Sequence, residues 1–158
     1  ILAYGLDYPT AKMVVLEPAA AHRAALAELQ SANDLDLQVM PYALDTHTGY
    51  ALLHRVAAQG GARYRLEARR SQSFQQVETG TLYWLKQQLV EPMDLLYLNV
   101  PGREEALMGQ IDEALARHIR RLCLKVNRPL VNTPRLLRWG QELGYRTRHC
   151  GDYLFWES

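Results

Sequence analysis

Residues Lys12 to Pro18 read Lys-Met-Val-Val-Leu-Glu-Pro, an apolar run that stops on a carboxylate and a proline. A continuous apolar run without polar alternation suits a parallel strand covered on both faces. Pro18 is pre-organised for a helix start, and Ala19 to Gln30 predict a helix with Ala24, Leu26 and Leu29 available to pack. Strand, acid and helix in that order belong to open α/β sheets, whose ligands sit at the carboxyl ends of the strands. An acid in this place accepts hydrogen bonds from a ribose diol, about 20 residues after a glycine-rich turn. Counting back that far from Glu17 leaves the chain. The turn and the first strand are therefore expected upstream, Ile1 to Pro9 being the tail of a helix and the chain the C-terminal part of a longer one.

The remaining pattern alternates. Leu37 to Leu44 predict a second strand, followed by a turn at Asp45 to Gly49. Tyr50 to Val56 and Arg63 to Ala68 alternate like a solvent-facing hairpin, and Ser71 to Val77 read as a weaker strand or linker. Thr79 or Thr81 caps a helix through about Leu89, with Leu82, Leu85 and Leu89 on its apolar face. Met93 to Val100 are the strongest buried strand, ended by Pro101-Gly102. Glu104 to Ala116 follow as one helix with acids in its first turn, and Ile119 to Val126 as a strand. Thr133-Pro134 open a helix to Leu143 with Gly144 beyond it. Arg146 to Cys150 and Tyr153 to Trp156 close as an antiparallel hairpin. The expectation is a single α/β domain over 1–158: a doubly wound, mostly parallel sheet with an antiparallel C-terminal hairpin strand.

Composition narrows the function classes. Eighteen Lys and Arg against 17 Asp and Glu leave +1, too balanced for a broad nucleic-acid footprint. The basic clusters Arg63, Arg65, Arg69, Arg70 and Arg117, His118, Arg120, Arg121 read first as solvated faces. No apolar run approaches the roughly 18–20 residues of a membrane span, and the first residues carry no basic signal-peptide region. Cys123 and Cys150 match no metal spacing, and reduced thiols in a cytoplasmic protein are the expected state. His22, His54, His118 and His149 form no metal-ligand pattern; His47, in a turn, is either a surface residue or a base. Hydrolase, NTPase and zinc signatures are missing from the sequence.

Several stretches then match one family in order: Tyr8 to Pro18 with its Glu-Pro, Pro41-Tyr-Ala-Leu-Asp45 with Gly49, Thr81-Leu82, Asp94-Leu-Leu-Tyr-Leu-Asn-Val-Pro-Gly-Arg-Glu104 with Leu107 and Gly109, and Leu136 to Tyr145. The chain resembles the FkbM-type S-adenosylmethionine-dependent methyltransferases, which methylate hydroxyl oxygens of sugars and polyketides. The resemblance implies a Rossmann-like methyltransferase sheet, S-adenosylmethionine as cofactor and a glycan or small-molecule acceptor. It places Glu17 and Pro18 at the cofactor ribose and Tyr42, Ala43 and Leu44 along an adenine slot. Asn99, at a strand end, and Glu104 are its catalytic candidates, while no metal site is implied.

The same residues carry plainer readings. Glu17 is also a helix-capping acid, Tyr42 to Leu44 buried strand residues, and Glu104 an ordinary first-turn acid. The family's strand-four Asp is Asn99 here, its following Glu is Pro101, and Lys125 replaces a Glu often found at the end of strand five. An Asn can hydrogen-bond a hydroxyl but cannot take its proton as a carboxylate would. The alternative is thus a degenerate, non-catalytic module that binds or scaffolds other domains of the same protein, the Arg63 to Arg70 hairpin being its contact surface.

Overall fold

A computed structural model describes residues 7–8, 10–58, 61–66, 73–126 and 131–158. The fold is mixed α/β, in three small sheets rather than one doubly wound parallel sheet. The chain divides into two compact units, Ile1–Ala43 with Gly49–Thr79, and Leu44–Thr48 with Gly80–Ser158.

The first unit opens with β1 (Met13–Leu16), α1 (Ala20–Asn33) and β2 (Leu37–Met40). β1 and β2 pair in parallel, Met13 opposite Leu37 through Leu16 opposite Met40. Asp34 ends α1 in the left-handed region at φ 51°, a conformation that Asp and Asn tolerate best after Gly. The second predicted strand splits at Pro41 into β2 and β3 (Tyr42–Leu44). Proline has no N–H to give a ladder and marks strand edges and breaks. After the split β3 joins β6 (Ser73–Gly80), β4 (Gly49–Ala58) and β5 (Gly61–Arg65) in a second sheet, ordered β3-β6-β4-β5.

Of the weak stretch expected over Ser71 to Val77, the first two residues lie outside the described ones. From Ser73 it becomes β6, a central strand, because β4 supplies its ladder from Gly49 opposite Thr79 to Arg55 opposite Ser73. Along β6 the buried positions are Val77, Thr79 and Gly80. Val77 meets Leu53, Ala43 and Ala19 in the unit's apolar cluster. The predicted Arg-rich hairpin keeps β5, but Arg69 and Arg70 lie outside the described residues, as do most of Ile1 to Pro9.

The second unit holds α2 (Leu82–Gln88), β7 (Leu96–Leu98), α3 (Glu104–Met108), α4 (Glu113–Ala116), β8 (Arg121–Lys125), α5 (Thr133–Glu142), β9 (Arg146–Cys150) and β10 (Tyr153–Glu157). Its sheet runs β7-β8-β10-β9, with β7 parallel to β8 and β10 antiparallel to both neighbours. The chain is extended where Met93 to Val100 predicted it, in two pieces: Met93 bridges Ile119 in parallel, and β7 begins at Leu96. Between them Asp94 turns outward to Arg120, 2.9 Å away.

Caps explain the helix ends. The Thr81 hydroxyl accepts from the Trp84 N–H. Asn132 caps α5 through the Arg135 N–H, one residue ahead of the expected Thr133. The single helix expected over Glu104 to Ala116 is two, because Asp112 caps a new one through Leu115 N–H at 2.9 Å. A cap gives the backbone an alternative to continuing the previous turn.

The core of this unit is Leu82, Leu107, Leu115, Ile119, Leu122, Leu124, Leu136, Leu154 and Trp156, all essentially inaccessible to water. Tyr145 adds a polar tie. Its ring lies 5.5 Å from that of Trp156, and its hydroxyl stands 2.8 Å from both the Ala116 and Ile119 carbonyls. Burial pushes its phenol above the ordinary range. Tyr145→Phe is expected to cost about 1 kcal/mol, since the one hydroxyl proton shared between the two buried carbonyls is lost and the packing is little changed. Urea unfolding of the pair of proteins checks it; an unchanged midpoint would show that the hydroxyl is idle.

Candidate functional site

In the first unit the chemistry gathers where β1 hands over to α1. Glu17 follows the last residue of β1, and its backbone N–H continues the β1–β2 pairing onto the Met40 carbonyl at 3.0 Å. Its carboxylate faces the head of α1: Oε1 accepts from Ala19 N–H at 2.8 Å, and Oε2 lies 3.2 Å from His22 Nδ1. Arg23 holds the turn from the other side, reaching the carbonyls of Glu17 at 3.1 Å and Pro18 at 2.6 Å. Gln75 also donates to Pro18, at 3.2 Å. Glu17 is thus a capping acid, and a charge-favoured one, since the helix N-terminus attracts anions. A carboxylate has about four acceptor positions. Two are used here, and 23% of the side chain remains open to solvent.

The expected adenine-slot residues do not share one environment. Ala43 is buried in the apolar cluster, and Leu44 is buried as well. Tyr42 is half-buried, and the hydrogen bond of its hydroxyl to the Glu78 carboxylate, followed by that group's charge, pushes the phenol above its ordinary range. These are strand and packing positions in the described structure.

In the second unit the turn after β3 meets the loop after β7. Asp45 is fully buried, with its N–H bonded to the Gly80 carbonyl at 3.0 Å. Its Oδ1 accepts from Thr46 N–H at 2.7 Å and faces Arg103 Nε at 3.2 Å. Without that guanidinium a buried carboxylate would cost several kcal/mol. Oδ2 has no hydrogen-bond partner, and the His47 Nδ1 lies 3.9 Å from it, just beyond bonding distance. Gln110 clamps the turn by donating to the Thr46 carbonyl at 2.8 Å, and its own Oε1 is buried without a partner. Two buried acceptor oxygens without donors around one turn are a costly arrangement that a ligand, water or a moving side chain relieves.

The two catalytic candidates flank this turn's partner loop. Glu104 is buried, and its Oε2 accepts from Gly102 N–H at 2.6 Å, which fastens the loop at a glycine with φ +85°. Asn99 follows β7 and is exposed. Sequence reasoning missed Asp45 and Arg103 as a pair; both stood inside the stretches that carry the family resemblance, but 58 positions apart. Among the described residues no group of three or more His, Cys, Asp and Glu could hold a metal ion, and no helix is long and apolar enough to cross a membrane. Compared with protein-family models, curated proteins and solved structures, the chain matches none of them.

Proposed function

We propose that this chain is an S-adenosylmethionine-dependent O-methyltransferase domain of FkbM type, acting on a hydroxyl of a carbohydrate or other small molecule. The observation that carries the reading is the Glu17 carboxylate, set at the carboxyl end of a parallel strand and the head of a helix with part of its surface open. That is where open α/β sheets hold the ribose of an adenosine-containing ligand. The residues fit the group: two acceptor positions of Glu17 remain for a diol, and Ala19 N–H and His22 fix its orientation. The bound cofactor supplies an electrophilic methyl group. The protein's part is alignment of the acceptor oxygen with it, and that alone is worth several kcal/mol of barrier.

The parallel β7–β8 pair and the antiparallel β10 at its side agree with a methyltransferase sheet in the second unit. One feature favours the non-catalytic alternative: Asn99 takes no proton and Glu104 is buried and engaged, so neither family position offers an available base. Calorimetric titration of the full-length protein with S-adenosylmethionine separates the readings. Saturable one-site binding is expected; complete absence of binding would end the enzymatic reading and leave the scaffolding one.

A further inference from the structure

The sheet of the second unit has two unlike faces. Leu96, Leu98, Leu122, Leu124, Leu154 and Trp156 are buried on one, and α5 lies over it, with Gly140 against Thr147 and the Trp156 ring. The alternate positions make the other face. One register row crosses all four strands there: Tyr97 on β7, Cys123 on β8, Phe155 on β10 and Arg148 on β9. Tyr97 is 51% exposed, Arg148 is exposed, and Cys123 and Phe155 are half-buried. The aromatic strip is continuous. The Tyr97 hydroxyl hydrogen-bonds with that of Tyr153, whose ring lies 6.4 Å from Phe155. The Arg148 guanidinium in turn stands 4.9 Å from the centre of the Phe155 ring.

The flanking rows are charged. Lys125 lies opposite Tyr153, and Arg121 and Arg146 lie on either side of Glu157. Four cations thus share the face with one acid, which is itself 3.8 Å from Arg146. The chain's near-neutral total conceals this local excess. An apolar partner would strip water from these cations without replacing it. A polyanion carrying flat rings suits both features: bases stack on aromatic rings and on guanidinium planes, while phosphates meet the cations. We propose that this face binds single-stranded nucleic acid, with bases on Tyr97 and on the Arg148–Phe155 stack and phosphates along Arg121, Lys125 and Arg146. Tyr97 and Phe155 are two strands apart, about 10 Å, so each takes its own base. The surface belongs wholly to the second unit and stands independently of the methyl-transfer reading. Stacking without hydrogen-bonded readout gives little preference for base sequence.

Fluorescence anisotropy of the full-length protein with a labelled 12-nucleotide oligothymidylate, without S-adenosylmethionine, tests this. Saturable binding is expected that weakens as salt rises, because phosphate contacts release counterions. The same oligomer annealed to its complement should bind several-fold more weakly, its bases being closed to stacking. Tyr97→Leu, at an exposed position, should weaken single-strand binding at least fivefold, equivalent to about 1 kcal/mol. No binding, equal affinity for the duplex, or unchanged affinity in Tyr97→Leu each overturns the proposal. Heparin bound in place of the oligomer would make the face an anionic-glycan site and overturn it too. Should the variant fail to fold, ultraviolet cross-linking of a thiothymidine-containing 12-mer to the native protein decides. Adducts are expected on Tyr97 or Phe155, and adducts confined to other segments overturn the assignment. A failed cofactor titration defeats the methyl-transfer reading alone, and a failed oligomer titration defeats this surface alone.

Discussion

Trp156→Ala is expected to cost the second unit about 3 kcal/mol, the low end of the range for truncating a buried aromatic. Two terms set that figure. The ring is almost completely buried, between α5 and the Tyr145 ring, so its loss leaves a cavity that the packed strand β10 cannot close. Against this, the indole Nε1 is buried without a hydrogen-bond partner, and removing an unsatisfied donor returns about 1–3 kcal/mol. Urea unfolding followed by circular dichroism measures the balance. A loss below about 1 kcal/mol would mean that the ring packs far less tightly than described.

Gly140→Val should cost about 2 kcal/mol, although it replaces a poor helix former inside α5. A Cβ at Gly140 would stand 2.6 Å from Thr147 Cγ2 and 2.6 and 2.7 Å from the Trp156 ring. That ring has no room to retreat. Overpacking costs up to about 3 kcal/mol, while leaving glycine regains less than about 1 kcal/mol of helix propensity. The clash wins in the native background. With Trp156 already replaced by alanine the vacated space lets the remaining obstacle, the Thr147 methyl at 2.6 Å, shift, so Gly140→Ala on that background is expected to stabilise. Thermal unfolding of the double variant against Trp156→Ala shows the sign. A further loss there would mean that the glycine is required by Thr147 rather than by the indole.

How much of this was legible beforehand follows from which forces decide each element. β1, β7 and β8 were visible from their apolar runs, although β1 is not covered on both faces as expected: it holds no buried residue, Val14 is exposed, and beside and within β7 so are Leu95 and Tyr97. The hairpin of β9 and β10 was visible because Gly151-Asp152 sits between two β-rich stretches. The α5 cap at Asn132 was missed by a single residue, the usual error where two capping residues adjoin. Pro41 was read as part of a strand, although its missing N–H divides β2 from β3. β6 was undervalued because Phe74 is the single apolar residue from Ser73 to Gln76, and its place in the sheet comes from pairing with β4.

The candidate site was half legible. Glu17 stood out because one short stretch contains strand, acid and helix start. Asp45 and Arg103 are distant in sequence, and only the fold makes a buried ion pair of them. Burial likewise separates Glu104, which ties its own loop, from the exposed His47, and no spacing rule carries that information.

Everything functional depends on the acid at the end of β1 gripping a ribose. The affinity of the full-length protein for S-adenosylmethionine, measured with and without Glu17→Ala, tests it most directly. Hydrogen bonds to a charged acceptor are worth about 1.5–3 kcal/mol, so binding is expected to weaken at least tenfold. The loss of the Ala19 contact should meanwhile lower stability by only about 1 kcal/mol. Equal affinity of the two proteins, both folded, would contradict the account.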